Sequence, residues 1–277
     1  NSFIPPHRSE RQRENPHPVY GAFQQHQVSR SFSDDNVRNT VLTGYMGLIK
    51  QIDDHMGRLF KFLENSGRLR DTMIVFTSDH GDYLGDHWLG EKELFHEQSV
   101  RVPLIIYDPD PAADKTRGTV ESRFVEAIDL LPTFMDAVGV QASRHRLEGR
   151  SILPLLRGGA PATWRDSVFS EIDYAFYQAR DILDVDPSDA RGYMVRTDRW
   201  KYIYFKGYRP QLFDLQNDPD EFVDLGDKPG LEAILTELQG RLFDRLLARR
   251  NRITMTDEQV LSRRANEGSS GIVIGRW

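Results

Sequence analysis

The chain has 277 residues, of which 39% are hydrophobic and 28% charged, with a formal net charge of −6. This is the composition of an ordinary globular protein that can bury one substantial core and a smaller one. The acidic balance argues against a general nucleic-acid binder, because no basic excess neutralises phosphates. No apolar stretch approaches the roughly 18 residues of a membrane span, so we expect no membrane partner. The absence of cysteine excludes disulfides and thiolate metal sites within the sequence.

The first predicted elements are a polar opening segment and a long helix. Residues 1–34 are rich in Pro, His, Gln and Arg without periodicity, and they predict a loop that leans on the main body. From Asp35 the apolar residues recur at helical spacing, which predicts a long amphipathic helix. Asp34 or Asp35 fits its N-cap, and Gly67 fits its C-terminal stop.

An apolar strand follows and ends at side chains that can bind metal. The run 73–76 precedes the polar segment 77–87, as in a buried parallel strand of an α/β sheet. Ligands gather at the carboxyl ends of such strands. The carboxylate of Asp79 and a neutral imidazole of His80 suit a divalent cation, although two ligands do not close a site. The alternative is a turn in which Asp79 caps the backbone.

The continuation adds a lysine and a second strand. Lys92 precedes the segment Ser99-Val100-Arg101-Val102-Pro103-Leu104, and a strand is predicted at 102–107. With the preceding Asp79-His80-Gly81 turn, this order resembles the sulfatase family of the alkaline phosphatase superfamily. The resemblance implies that Asp79 and His80 are metal ligands and that Lys92 contacts the anionic oxygens of the substrate. The alternative for Lys92 is a surface lysine in a charged loop.

Further segments agree with this resemblance. Residues 125–139 look like the family's Asp-Leu-Leu-Pro-Thr helix, and 147–156 look like its Gly-Arg-Ser-Leu-Leu-Pro segment. The stretches most similar to phosphonate monoester hydrolases, bacterial relatives of arylsulfatases, are 171–174, 198–203, 207–215 and 271–277. The resemblance implies an α/β fold: an alkaline-phosphatase-like sandwich of a mostly parallel sheet with flanking helices, plus a small C-terminal antiparallel sheet covered by a helix.

The residues after 157 predict this smaller part. A helical stripe from Leu231 to Arg250 fits the covering helix. Aromatic-rich segments predict its antiparallel strands at 167–172, 193–196, 200–205 and 211–215. We therefore divide the chain into residues 1–157, from the catalytic α/β domain, and residues 158–277. The tail 271–277 is apolar, and we expect it to be ordered and buried against the body or a neighbouring subunit.

Three other polar residues have two interpretations each. Asp86 and His87 could orient Asp79 or His80, or they could lie in a solvated turn. His96 could touch the substrate or pack in the interior. The sequence does not decide between these roles.

The family resemblance implies a reaction and its requirements. Members use a formylglycine nucleophile made from Cys or Ser in a Cys/Ser-x-Pro-x-Arg motif, which this sequence lacks. We therefore expect the C-terminal half of a longer enzyme that hydrolyses sulfate esters, phosphonate monoesters or phosphodiesters, with its nucleophile and remaining metal ligands upstream. The resemblance implies one divalent metal ion (Mn, Ca, Zn or Mg) and a small anionic ester substrate.

Two alternative functions stay open at this point. One is an ordinary arylsulfatase or choline-sulfatase-like enzyme, and the other is a non-catalytic, sulfatase-like binding protein. For the assembled protein we expect a homo-oligomer, because phosphonate monoester hydrolases form them, and we expect a cytoplasmic location.

Overall fold

The computed structural model describes residues 5–141, 143 and 145–266. In this part of the chain six strands form two separate sheets. The strands are β1 (Ile74–Thr77), β2 (Leu104–Tyr107), β3 (Val168–Asp173), β4 (Arg191–Arg196), β5 (Trp200–Phe205) and β6 (Gln211–Asp214). The helices are α1 (Glu10–Glu14), α2 (Pro18–Gln24), α3 (Gln27–Phe32), α4 (Asp35–Asn65), α5 (Glu97–Val100), α6 (Leu130–Ala137), α7 (Leu153–Leu156), α8 (Gln178–Leu183), α9 (Glu232–Leu247) and α10 (Asp257–Asn266). The chain is thus a mixed α/β structure.

The strand that precedes Asp79 pairs with β2, and the pairing is antiparallel, with Phe76 opposite Ile105. The expectation of a parallel neighbour is not met within the described residues. The connection between β1 and β2 contains only a short 3-10 turn (Asp86–Trp88) and the four-residue helix α5. A parallel return usually runs through a longer helix that covers one face of the sheet, and this connection contains none. The chain therefore folds back along the edge of β1.

The opening segment differs from the predicted loop, because it contains α1, α2 and α3. These helices have five to seven residues, which is too short for an amphipathic period to show. Helices of this length are held by tertiary contacts. Here Val19, Tyr20 and Phe23 are buried in the larger hydrophobic core of the described chain.

Helix α4 follows the predicted boundaries and is mostly exposed. The side chain of Asp34 accepts a hydrogen bond from the backbone N–H of Asn36 (2.8 Å), and Gly67 adopts φ +70° just beyond the helix. The predicted cap and stop are both confirmed. The apolar stripe is present as well, but many of its members are more than a third exposed: Val37, Val41, Tyr45, Leu48, Ile52, Leu59 and Phe60.

The predicted small antiparallel sheet is confirmed, with strand order β3-β4-β5-β6. Helix α9 covers one face, where Leu238 and Leu242 pack with Val195, Tyr202 and Leu212. The opposite face packs against the opening helices and the segment after β1. Its core contains Tyr20, Phe23, Tyr83, Phe95, Met194, Ile203 and Phe205.

The two predicted parts of the chain are joined across the proposed boundary by buried contacts. Lys201 of β5 lies against Glu97 of α5, and Phe95 packs with Phe205. The division at residue 157 stays a prediction. The predicted burial of the tail 271–277 concerns residues outside those described. Among the described residues, no helix combines the length and apolarity required to cross a membrane.

Candidate active site

The loop after β1 holds Asp79 and His80 through its own backbone. Ser78 Oγ donates a hydrogen bond to the carbonyl oxygen of His80 (2.7 Å), and the N–H of His80 donates to Asp79 Oδ1 (3.0 Å). Asp79 Oδ2 lies 3.5 Å from His80 Nε2. The predicted pair of ligand atoms is therefore brought together on one side of the loop.

The hydrogen bonds of His80 fix its tautomer. Its Nδ1 lies 2.7 Å from the carbonyl oxygen of Gly81, which can only accept, so Nδ1 carries the proton. The neutral ring then has its lone pair on Nε2, the atom that faces Asp79. This is the arrangement by which proteins commonly orient a metal-binding imidazole.

The carboxylate of Asp79 is kept ionised by its surroundings. Desolvation works to raise the pKa of Asp79, but hydrogen bonds from backbone N–H groups, first that of His80, and the positive charge of Lys92 outweigh it. The pKa of this group therefore lies below its ordinary value. The side chain is 83% exposed, so it is open to a ligand.

Gly81 allows the loop to approach α5 closely. A Cβ at this position would lie 1.8 Å from the carbonyl oxygen of Gln98, which no side chain tolerates. The N–H of Gly81 also donates to the carbonyl oxygen of Ser99 (2.7 Å). The loop is thus seated on α5 by its backbone.

Lys92 is exposed, and its backbone is tied to the same helix. Ser99 Oγ donates a hydrogen bond to the carbonyl oxygen of Lys92, and the charge of Lys92 acts on Asp79. The structure therefore places all three sequence-predicted site residues around one end of β1. Their roles stay predictions.

The segment from Leu84 to Leu94, which follows the Asp79-His80 turn and contains Lys92, has an unusual backbone. Positive φ angles occur at Leu84 (47°), His87 (53°), Trp88 (63°), Glu91 (61°) and Leu94 (77°). Such conformations are costly for residues other than glycine and persist only where the surroundings enforce them, which is common near functional sites.

His87 and His96 have interior roles in the described structure. Their rings stack with centroids 3.7 Å apart and an interplanar angle of 4°. His87 Nδ1 accepts from Gln12 Nε2 (2.7 Å), and its Nε2 donates to Gln98 Oε1 (3.1 Å). Desolvation lowers the pKa of His87 to about 3 and that of His96 well below its ordinary value. The solvated-turn interpretation of His87 is therefore wrong.

Asp86 also points away from the candidate ligands. It accepts a hydrogen bond from the N–H of His7 (3.0 Å) and lies 3.6 Å from Arg38. Neither Asp86 nor His87 has a described contact with Asp79 or His80, so an orienting role for them receives no support.

A cavity of about 460 Å³ lies between the opening helices and the segment after β6. Its lining includes Gln12, His17, His96 and Gln211, and it does not include Asp79, His80 or Lys92. The candidate site is instead an open surface at the end of β1.

The donor atoms fit one side of a divalent cation site. A carboxylate oxygen and an imidazole nitrogen with a free lone pair are suitable first-row metal ligands. Within residues 5–141, 143 and 145–266, no group of three or more potential ligand side chains converges. Asp79 and His80 can thus supply part of a coordination shell.

Two residues near this loop were not predicted from the sequence: Ser99, which hydrogen-bonds to Gly81 and Lys92, and Lys201, which pairs with Glu97 of α5. Ser99 lies in the Ser-x-Arg-x-Pro segment that carries the family resemblance, but the resemblance implies no contact for it. Lys201 interrupts the aromatic run of β5 at a position that is fully buried. A lysine within an apolar strand was the available signal.

Two family profiles match the chain. The family described as "Sulfatase" matches residues 13–140, and "N-sulphoglucosamine sulphohydrolase, C-terminal" matches residues 85–247. The second match covers more than half of the chain.

Individual relatives agree with these profiles. The multifunctional alkaline phosphatase superfamily protein PehA of Trinickia caryophylli is 37% identical over 196 residues, which are 70% of this chain and 38% of PehA. The N-acetylglucosamine-6-O-sulfatase of Bacteroides thetaiotaomicron is 32% identical over 188 residues, which are 66% of this chain and 32% of that enzyme. The chain thus spans less than half the length of these relatives.

Solved structures of two phosphonate monoester hydrolases are also similar to this chain. The phosphonate monoester hydrolase of Agrobacterium radiobacter has a TM-score of 0.70 and 32% identity, covering 76% of this chain and 42% of that structure. The phosphonate monoester hydrolase of Silicibacter pomeroyi has a TM-score of 0.80 and 29% identity, covering 93% and 54%. The chain belongs to the sulfatase family of the alkaline phosphatase superfamily.

Proposed function

We propose that this chain is the C-terminal part of a metal-dependent hydrolase of sulfate esters, phosphonate monoesters or phosphodiesters. The observation that carries the proposal is the convergence of Asp79 and His80 Nε2 beside Lys92 at the end of β1. The formylglycine nucleophile and further metal ligands would lie upstream. Relatives named as sulfatases and phosphonate monoester hydrolases support this reaction class.

The chemistry follows from charge. Cleavage of such esters builds negative charge on the nonbridging and leaving oxygens. A divalent cation held by Asp79 and His80 would supply Lewis acidity and fixed positive charge at the reacting group. Asp79 contributes an ionised carboxylate, and His80 contributes a lone pair whose direction is fixed by Gly81. Lys92 adds a mobile, strongly hydrated cation that can contact the anionic oxygens of the ester.

A metal titration tests the proposal. The full-length protein should bind Mn²⁺, measured by calorimetry and by elemental analysis, and the double variant Asp79→Ala/His80→Ala should lose this binding. The matched control is Asp54→Ala/His55→Ala, which removes the same dipeptide from the exposed surface of α4. Equal metal content in the wild type and the first variant would show that the assignment is wrong.

An activity panel separates the alternatives. Relative rates of the full-length protein on an aryl sulfate, a phosphonate monoester and a phosphodiester distinguish a phosphonate monoester hydrolase from an ordinary arylsulfatase. A choline-sulfatase-like enzyme would prefer choline sulfate over all three. No turnover of any of these substrates, with metal bound, would favour a non-catalytic binding protein.

A further inference from the structure

Lys201 is a fully buried cation in the middle of the four-stranded sheet. Its Nζ lies 2.6 Å from Glu221 Oε1 and 2.8 Å from Glu97 Oε1, and it donates a hydrogen bond to the carbonyl oxygen of Phe95 (2.9 Å). A buried charge is costly unless it is paired and hydrogen-bonded, and here both conditions are met.

Phe95, Glu97 and Glu221 all lie in or contact the N-terminal end of α5. The N–H of Glu97, the first residue of that helix, donates to Glu221 Oε2 (2.7 Å). Arg196 Nε of β4 lies 3.2 Å from Glu97 Oε1. Lys201, Arg196, Glu97 and Glu221 therefore form an ion cluster that attaches the first turn of α5 to the sheet, and the exposed Arg101 also lies 3.9 Å from Glu97.

The other end of α5 contacts both candidate site loops. The carbonyl oxygen of Ser99 accepts from the N–H of Gly81, and Ser99 Oγ donates to the carbonyl oxygen of Lys92. The carbonyl of Gln98 closes on Gly81 so tightly that only glycine fits there. The short helix α5 thus sets the position of both the Asp79–Gly81 loop and the backbone at Lys92.

We propose that Lys201 is a positioning residue of the candidate site. It acts through Glu97 and α5 to hold the Asp79–Gly81 loop and Lys92 in a fixed position relative to each other. The proposal rests on the function proposed above. Replacing a buried ion pair by apolar groups is often neutral or stabilising, so stability alone does not account for a lysine at this position. A fixed attachment of α5 to the sheet does account for it.

The test compares Lys201→Met with Lys206→Met in the full-length protein. Lys206 follows β5 directly and pairs with Asp189, but its side chain is 57% exposed and has no described contact with α5. The readouts are backbone hydrogen exchange and Mn²⁺ affinity. In Lys201→Met, the amides of Gly81, Val100 and Arg101 should exchange at least tenfold faster than in the wild type, and Mn²⁺ should bind at least tenfold more weakly. Lys206→Met should leave both values unchanged.

A merely structural role gives a different result. It would raise exchange uniformly across the α5 region and the β3–β4 ladder, or leave the α5 region unchanged with wild-type metal affinity, and either outcome overturns the proposal. If Lys201→Met does not fold, the double variant Lys201→Met/Glu221→Gln removes one charge of each sign, keeps the Arg196–Glu97 contact, and should show the same local effect. Failure of both variants to fold would assign Lys201 to global stability and also overturn the proposal.

The outcome is independent of the metal assignment in one respect. If the wild type bound none of Mn²⁺, Ca²⁺, Zn²⁺ and Mg²⁺ through Asp79 and His80, the proposed function would fail. The exchange of the Gly81 amide would still report whether Lys201 positions the loop. The two failures are therefore distinguishable.

Discussion

Gly81 shows how a single residue determines where the candidate ligands lie. Its missing side chain lets the Asp79-His80 turn rest on the carbonyl of Gln98, where a Cβ would be 1.8 Å from that oxygen. Gly81→Ala should therefore displace the loop and destabilise the protein by a few kcal/mol, as other backbone clashes in packed positions do. Chemical denaturation measures the loss.

Gly44→Ala is the control for this substitution. Gly44 lies inside α4, and a Cβ added there would meet nothing within 4 Å beyond the adjacent residues and the backbone of its own helix, so alanine should stabilise the helix by about 0.5 to 1 kcal/mol. If Gly81→Ala were as stable as the wild type, the close contact between the loop and α5 would be contradicted.

The exposed side chain of Lys92 should matter for turnover and not for stability. Lys92→Ala in the full-length protein should lower kcat by about 10² to 10³, because removal of one charge-stabilising group from a transition state typically has this effect. Stability should not change, since the side chain is exposed. Lys115→Ala, at another exposed lysine, should retain wild-type kcat. Activity within about twofold of the wild type for Lys92→Ala would return it to the status of a surface residue.

The buried histidines should make the free energy of unfolding depend on pH. His17, His87 and His96 are buried and neutral, and desolvation lowers the pKa of His17 to about 4 and that of His87 to about 3. In the unfolded chain these groups titrate near pH 6.5. Between pH 6.5 and 4 the unfolded state therefore binds more protons, and stability falls as the pH is lowered. At pH 5 the loss should be about 2 kcal/mol per histidine.

Urea unfolding at pH 7.5 and 5.0 measures this difference. His87→Asn should reduce the pH dependence, because asparagine tolerates the φ of +53° at this position and does not titrate. Gln51→Asn, at an exposed polar position of α4, should leave the pH dependence as in the wild type. An identical free energy of unfolding at both pH values would contradict the buried, neutral state of the three rings.

Periodicity in the sequence predicted the helices and strands that are long enough to show a repeat. The long helix α4, strand β5 and helix α9 have enough residues for a 3.6-residue or two-residue repeat to appear, and they lie within a few residues of their predicted bounds. The opening helices α1 to α3 were missed because they are short and depend on tertiary packing. The antiparallel pairing of β1 with β2 was missed because a strand's partner is a long-range property.

The candidate site was predictable only in part, for a similar reason. Asp79 and His80 are adjacent in sequence, so their convergence follows from one turn. The ion cluster joins Glu97 to Lys201 and Glu221, which lie more than a hundred positions further along the chain, and no local pattern specifies that pairing. In the sequence, the sign of this cluster was a lysine within an aromatic-rich strand.

For the molecule as a whole, the exposed stripe of α4 is the most consequential surface. Leu48 is 59% exposed, and Ile52 is 51% exposed. Contiguous apolar surface of this kind favours association. We expect the isolated 277-residue chain to self-associate through α4. The homo-oligomer that the family resemblance implies concerns the full-length protein and stays a separate prediction. Light scattering should give a mass above 32.0 kDa, the mass of one chain.

Charged substitutions on the stripe test this surface. Leu48→Lys/Ile52→Lys should shift the measured mass toward that of the monomer. Gln51→Lys adds a positive charge at an exposed polar position of the same helix and should leave the mass unchanged. If the double variant kept the mass of the wild type, α4 would not be the contact surface.

We propose above all that Asp79 and His80 hold a divalent metal at the end of β1 in a sulfatase-family protein. Anomalous diffraction from crystals of the full-length protein grown with Mn²⁺ tests it most directly. We predict one anomalous peak within about 2.0 to 2.4 Å of a carboxylate oxygen of Asp79 and of His80 Nε2, with His80 Nδ1 still hydrogen-bonded to the carbonyl of Gly81. A fully occupied manganese site elsewhere in the protein, with no peak at Asp79 and His80, would contradict it.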